Sequence, residues 1–270
     1  MDAPGWRDRP TWRSERALSF GAIADDYDRF RPGPPPEAVR WVLREPVGRV
    51  LDLGAGTGGL TRRLAPLATS VFAAEPDERM RAVLVDRSPG VRVVGARGEA
   101  LPFADGSLDA VVVSAAWHWM DPELAVPEVA RVLRVGGVFG LLGNGPDRRV
   151  PWVSELLGRR GGWRRPLGDT DARPGGRWWP PAITPDAPFS PPEATVLRWS
   201  NPATAEDLAG LAGTYSSVVT FGPDRRDAVM ARTALVAARL PELFTHGAVE
   251  LPFACRCWRT VRTGDPAPTA

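Results

Sequence analysis

The 270-residue chain contains no lysine and no glutamine, so all 34 of its basic residues are arginine. That absence removes several chemistries at once: a Schiff-base lysine, a pyridoxal-phosphate anchor and the phosphate-binding lysine of a P-loop. A codon preference for Arg, Ala, Gly and Pro in a GC-rich genome accounts for it. Cysteine is nearly as scarce. Cys255 and Cys257 are the only two, too few for a disulfide framework or a zinc site. At alternate positions of a strand they share a face with Val249, Leu251 and Phe253, so packing is the expected role. Histidine occurs twice, as His118 and His246, and no metal site is expected. Apolar runs are short, none approaching the roughly 18 residues that cross a bilayer. The stretch Met1 to Ser19 lacks the apolar segment of a secretory signal, so a cytoplasmic location without a membrane partner is expected. A net charge of only +2 argues against a nucleic-acid partner, despite the basic run Arg159-Arg160-Gly161-Gly162-Trp163-Arg164-Arg165.

What the chain does contain is a strand running straight into glycine. Val50-Leu51-Asp52-Leu53-Gly54-Ala55-Gly56-Thr57-Gly58-Gly59 leads into a helix-forming run from Leu60 to Leu67. Residues without a Cβ let the backbone turn sharply and let a ligand approach closely. At the carboxyl end of the first strand of an open α/β sheet, such a turn suits a nucleoside-bearing cofactor.

Strands and helices alternate on either side of this turn. Pro32 to Pro36 opens a helix through Leu43, and the first strand is expected over Arg49 to Leu53. Ser70 to Glu75 reads as a second strand, with a helix from Pro76, and Val91 to Val94 as a third. Leu108 to Ser114 is nearly all apolar, as a parallel strand covered on both faces should be. Asp121-Pro122-Glu123 places an N-cap, a first-turn proline and a first-turn acid at a helix start. That helix is expected to reach about Arg134, with Gly136-Gly137 ending it before a strand over Val138 to Leu142.

After residue 158 the pattern breaks. Arg159 to Pro192 holds eight prolines, six arginines and three tryptophans (Trp163, Trp178 and Trp179), and irregular stretches of this length are usually functional or disordered. Regularity returns with a strand over Ala194 to Trp199 and a capping-box-like helix start at Thr204-Ala205-Glu206-Asp207. A helix over Pro223 to Ala238 and a long strand over Val249 to Val261 follow. The expected fold is α/β, a doubly wound Rossmann-like, seven-stranded, mostly parallel sheet with an antiparallel C-terminal strand and an irregular insertion. Residues 1–18 and 265–270 are expected as tails and 19–264 as a single domain, with 159–192 an insertion suited to a substrate lid.

Glu75, 19 residues beyond Gly56 at the end of the second strand, is placed to accept hydrogen bonds from both ribose hydroxyls of a bound nucleoside. Gly54-x-Gly56-x-x-Gly59 also fits a dinucleotide fingerprint, a weak signal alone. Asp52 stands against that alternative, because an acid two residues before the first glycine suits a cationic ammonium better than a pyrophosphate.

With these residues in view, the chain resembles class I S-adenosylmethionine-dependent methyltransferases, and within them the small-molecule group of ubiquinone/menaquinone-biosynthesis and trans-aconitate type. The resemblance rests on Phe20-Gly21 to Tyr27 with Arg31-Pro32, Leu51 to Gly58, Ala74-Glu75-Pro76, Glu99-Ala100-Leu101-Pro102-Phe103, Trp117-His118-Trp119-Met120-Asp121 and Glu128 to Gly137. It is strong over residues 19–158 and weaker over 194–262. It implies that Gly54, Ala55, Gly56 and Thr57 line the methionine and ribose portion of the cofactor, S-adenosyl-L-methionine. It further implies that Glu75 binds the ribose, Pro76 flanks the adenine and Ser114 sits by the sulfonium. Tyr27 and Arg31 would belong to an N-terminal lid, with Arg31 a candidate for the cofactor carboxylate. Around Gly98 and Glu99 the family often has an aspartate that contacts adenine. Here Arg97 stands in its place, leaving adenine to backbone groups or to stacking by Arg97.

Methyl transfer is an in-line displacement on an already activated methyl group, so alignment and water exclusion are the main demands. Where the acceptor must lose a proton, His118 is the candidate base; packing between Trp117 and Trp119 is its other reading. His246, in a Thr-His-Gly turn, reads as a loop residue. Trp152, Trp163, Trp178, Trp179 and the arginines of 145–192 are candidates to select a small-molecule acceptor at O, N or C. Two other classes remain open at this stage: a catalytically silent S-adenosylmethionine-binding module and a nicotinamide-dependent oxidoreductase. Oligomeric state and acceptor identity are not encoded in any motif of the chain.

Overall fold

The computed structural model describes residues 18–157, 187–220 and 222–264. Residues 1–17 of the tail expected over 1–18, the end tail 265–270 and most of the Pro/Arg/Trp-rich stretch, with Trp163, Trp178 and Trp179, lie outside the described residues. In chain order the elements are α1 (Ala24–Phe30), α2 (Pro36–Leu43), β1 (Val47–Leu53), α3 (Thr61–Leu64), β2 (Ala68–Ala74), α4 (Glu78–Arg87), β3 (Arg92–Val94) and β4 (Leu108–Ser114). Then come α5 (Pro122–Val132), β5 (Leu133–Pro146), α6 (Pro151–Leu156), β6 (Glu193–Ala203), α7 (Ala205–Gly213), α8 (Ser216–Val219), α9 (Pro223–Ala237) and β7 (Val249–Val261).

The seven strands form one sheet in the order β3-β2-β1-β4-β5-β7-β6. The pairs β1/β2, β1/β4, β2/β3 and β4/β5 are parallel. The antiparallel sense of β7 against β5 shows in its bonds. Gly136 donates its N–H to the Arg262 carbonyl, and just past the other end of β5, Asp147 donates to the carbonyl of Pro252. Consecutive residues of a strand point to opposite faces. In β1 all four of Val50, Leu51, Asp52 and Leu53 are buried, and so are Ala110 to Val113 in β4. Both faces are therefore covered, the doubly wound arrangement. Chain order reverses between β1, whose next strand lies on one side, and β4 on the other. Such a switch point, beyond the carboxyl strand ends, is where open α/β sheets bind ligands.

The chain divides into two compact units. The first holds, among the described residues, 33–144, 187–197 and 255–264. Its core joins Leu51, Leu53, Val111, Val113, Phe139, Leu141 and Trp258 to Ala125, Val129 and Val132 of α5. Asp121 caps α5, accepting the Glu123 N–H at 3.0 Å. Cys255 and Cys257 are buried in β7, on the alternate positions that also bury Val249, Leu251 and Phe253. Phe189 packs on the core and bridges Arg262, so the last part of the irregular stretch is held along β7.

Several expected boundaries move, those at the start of α4 and at the α5/β5 junction for identifiable reasons. The helix after β2 starts at Glu78 rather than Pro76, because Asp77 is its N-cap and accepts the Arg79 N–H at 2.9 Å. Gly136-Gly137 does not stop a helix; α5 ends at Val132 and both glycines lie inside β5. Leu108 pairs with Leu133 but Ala110 with Val138, so β5 bulges where it faces Asp109. Gly136 has φ +78° there, and a Cβ on Gly137 would stand 2.8 Å from the Arg134 carbonyl oxygen.

The second unit holds 18–32, 145–157 and 198–254 apart from residue 221. Its core joins Val153, Leu156, Leu208, Leu211, Ala237, Leu251 and Phe253, with Trp152 and Trp199 packed against it. β6 extends past the expected Trp199 to Ala203. Thr204 then forms a full capping box: its hydroxyl accepts the Asp207 N–H at 3.1 Å, and Asp207 accepts the Thr204 N–H at 2.9 Å. Thr204→Ala is expected to destabilise the protein by about 1 kcal/mol, read as a lower denaturant midpoint at unchanged m-value.

Candidate active site

The glycine turn is built by backbone geometry. Gly54, Gly56 and Gly58 adopt φ of +71°, +57° and +92°, values that L side chains rarely tolerate. The Gly54 and Ala55 N–H groups both donate to the Ala74 carbonyl, at 2.8 and 3.1 Å, which ties the turn to the end of β2. Glu75 follows directly. One of its carboxylate oxygens accepts the Gly56 N–H at 2.9 Å and the other the Asp77 N–H at 2.9 Å. A carboxylate oxygen has capacity beyond one donor, so Glu75 shapes the turn and can still accept from a ligand. Its burial pushes its pKa upward, against the two backbone donors. Arg81 fixes the same segment by donating to the Glu75 and Pro76 carbonyls, both at 2.8 Å.

Asp52 lies beneath the turn, fully buried. Its Oδ2 accepts the Thr61 hydroxyl at 2.6 Å, while Oδ1 has no hydrogen-bond partner. Desolvation raises its pKa to about 7, with the negative Glu75 adding to the rise and the Thr61 hydroxyl opposing it. A buried carboxylate oxygen without a donor is costly, and a cation or donor-rich ligand group would relieve that cost.

A third wall follows β4. Ser114 ends the strand half-buried, and Ala115 takes φ +55°, uncommon for a residue with a side chain. Trp117, His118 and Trp119 form a short 3-10 turn, the His118 ring 4.4 Å from that of Trp119. Ala116 and Met120 flank this turn and face the glycines. A Cβ on Gly54 would meet the Ala116 Cβ at 2.5 Å, and one on Gly98 would meet the Met120 sulfur at 2.6 Å. Glu99 accepts the Asp121 N–H at 2.8 Å. Arg97 is exposed, and its backbone bridges Ala100.

Within this unit the strand ends therefore gather Asp52, Gly54, Ala55, Gly56, Thr57, Glu75, Pro76, Gly98, Glu99, Ser114 and His118. Tyr27 and Arg31 belong to the other unit. There Arg31 donates to the Thr214 hydroxyl at 2.9 Å and to its carbonyl at 3.0 Å. Its guanidinium also lies over the rings of Tyr27 and Tyr215, at 5.3 and 4.7 Å. Thr61, Ala116 and Met120 were not singled out from sequence. Thr61 carried a usable signal, a hydroxyl one helical turn past the glycines; the other two depend on long-range packing.

Comparison with known proteins follows the same lines. The methyltransferase-domain family pattern matches residues 51–141. An uncharacterized methyltransferase of Mycobacterium tuberculosis is 38% identical over 250 residues, covering 92% of this chain and 97% of its own. The chain belongs to the class I S-adenosylmethionine-dependent methyltransferases. The chloroplastic 2-methyl-6-phytyl-1,4-hydroquinone methyltransferase 2 of Oryza sativa is 32% identical over 114 residues, 40% of this chain and 32% of that protein. A solved structure from Anaeromyxobacter dehalogenans, classed as a type II methyltransferase, superimposes with a TM-score of 0.56 at 24% identity, over 86% of this chain and 98% of that one. At that identity the likeness speaks for the methyltransferase fold alone. Among the described residues, no group of three or more His, Cys, Asp or Glu could hold a metal ion, and no helix is long and apolar enough to cross a membrane.

Proposed function

We propose that this methyltransferase binds S-adenosyl-L-methionine at the glycine turn and transfers its methyl group to a small-molecule acceptor at O, N or C. The observation that carries the reading is the buried, donorless Oδ1 of Asp52 beneath three positive-φ glycines. S-adenosylmethionine supplies an activated sulfonium methyl and, on transfer, leaves as S-adenosylhomocysteine. Asp52 would hold the ammonium of its amino-acid portion, directly or through water. Gly54, Ala55, Gly56 and Thr57 would present backbone groups to the methionine and ribose. Glu75 would accept from the ribose hydroxyls, and Pro76 with the 97–99 segment would flank the adenine. Ser114 and the Trp117–Trp119 turn would border the reacting end.

His118, in that turn, would take a proton from an acceptor whose nucleophilic atom carries one. His118→Ala is then expected to lower turnover by roughly 10²- to 10⁴-fold while leaving S-adenosylhomocysteine affinity within about twofold; equal loss of both would assign it to packing. A small-molecule acceptor is supported by the hydroquinone named for the rice relative and by a net charge of only +2, which argues against a dedicated nucleic-acid binder.

Incubation with methyl-labelled S-adenosylmethionine and a metabolite extract tests the activity. Label in a small-molecule product, identified by mass spectrometry, together with S-adenosylhomocysteine release, is expected. Tight cofactor binding without any release under those conditions would favour a silent binding module instead.

A further inference from the structure

Gly98 poses a question that its backbone does not answer. Its φ lies outside the positive range that calls for glycine, so conformation does not forbid a side chain. Space does: a Cβ there would stand 2.6 Å from the Met120 sulfur and 3.3 Å from Met120 Cγ. The end of the same side chain lies 3.4 Å from where a Gly54 Cβ would be. Met120 is 7% exposed and belongs to the main core of its unit, so it has little room to swing aside.

We infer that Met120 is a positioning residue: its thioether fills the space left by Gly54 and Gly98, and so sets the distances among the glycine turn, the 97–99 segment and the Trp117–Trp119 turn. Two further contacts run the same way. Ala116 abuts Gly54, and the Asp121 N–H is held by Glu99. The turn that carries His118 is thereby packed directly on both segments assigned to the methyl donor. A flexible thioether suits the gap between two glycines that approach from different loops. The inference rests on the proposed S-adenosylmethionine site, since it concerns the loops of that site.

The test is a double-mutant cycle read by calorimetric titration with S-adenosylhomocysteine, with thermal melting as a folding control. Gly98→Ala should weaken binding roughly tenfold by pushing Met120 against the glycine turn, and Met120→Ala by a similar factor by letting the loops relax. Combined, Gly98→Ala/Met120→Ala should bind better than Gly98→Ala alone, because the added methyl enters the vacated space. Met120→Leu, which keeps the bulk, should stay within about threefold of wild type. Additive losses in the double variant, or a Met120→Leu variant as impaired as Met120→Ala, would overturn the inference. No binding by the wild-type protein would instead overturn the cofactor assignment.

Discussion

Glu75→Ala is expected to weaken S-adenosylhomocysteine binding roughly a hundredfold, or about 3 kcal/mol, and to lower the melting temperature as well. The two effects have one cause. The Glu75 carboxylate is buried and accepts two backbone N–H groups, from Gly56 in the glycine turn and from Asp77 at the start of α4. Removing it leaves both donors without their acceptor and takes away the acceptor proposed for the ribose hydroxyls. A glutamine amide at this position would supply only one oxygen, so either Gly56 or Asp77 would face an amide NH2. Glu75→Gln should therefore recover little of the loss, although its shape is nearly unchanged. Titration calorimetry and thermal melts on the two variants check this. A lowered melting temperature with full ligand affinity would leave Glu75 as a structural residue only.

Ligand affinity should depend on pH through Asp52. Burial pushes its carboxyl up from an ordinary 3.8 to about 7 in the ligand-free protein. Between those values the folded protein holds a proton that the unfolded chain has released, so this group makes stability fall as pH rises from about 4 to about 7. The limiting slope is about 1.4 kcal/mol per pH unit, with no further loss above about 7. Binding runs the other way. An ammonium beside Asp52 favours the ionised carboxylate, so affinity should climb with pH up to about 7 and level off above it. Below that value the slope approaches about tenfold per pH unit. Asp52→Asn should remove both dependences. Affinity that stays flat between pH 6 and 8 in the wild type would detach Asp52 from the ligand's ammonium.

The parts legible in sequence were those set by local pattern. β4 keeps its expected bounds, Leu108–Ser114, because a strand covered on both faces writes a continuous apolar run. The caps at Asp121 and Thr204 are local chemistry and were readable for that reason. β5 departs from its expected bounds because the bulge at Gly136-Gly137 answers to Asp109 on the neighbouring strand β4, a partner that the local sequence does not announce. The site divides in the same way. The glycine turn and Glu75 are visible as residue types at a spacing. The hydrogen bond from Gly56 to Glu75, the hydroxyl of Thr61 on Asp52 and the packing of Met120 on Gly98 join residues that belong to different elements or loops. Those links turn a motif into an electrostatic environment, and only the fold supplies them.

The central claim, a site for S-adenosylmethionine at the end of β1, is tested most directly by isothermal titration of the wild-type protein with S-adenosylhomocysteine and, separately, with NADH. The account predicts saturable one-to-one binding of the first and none of the second. Binding of NADH without S-adenosylhomocysteine would contradict it.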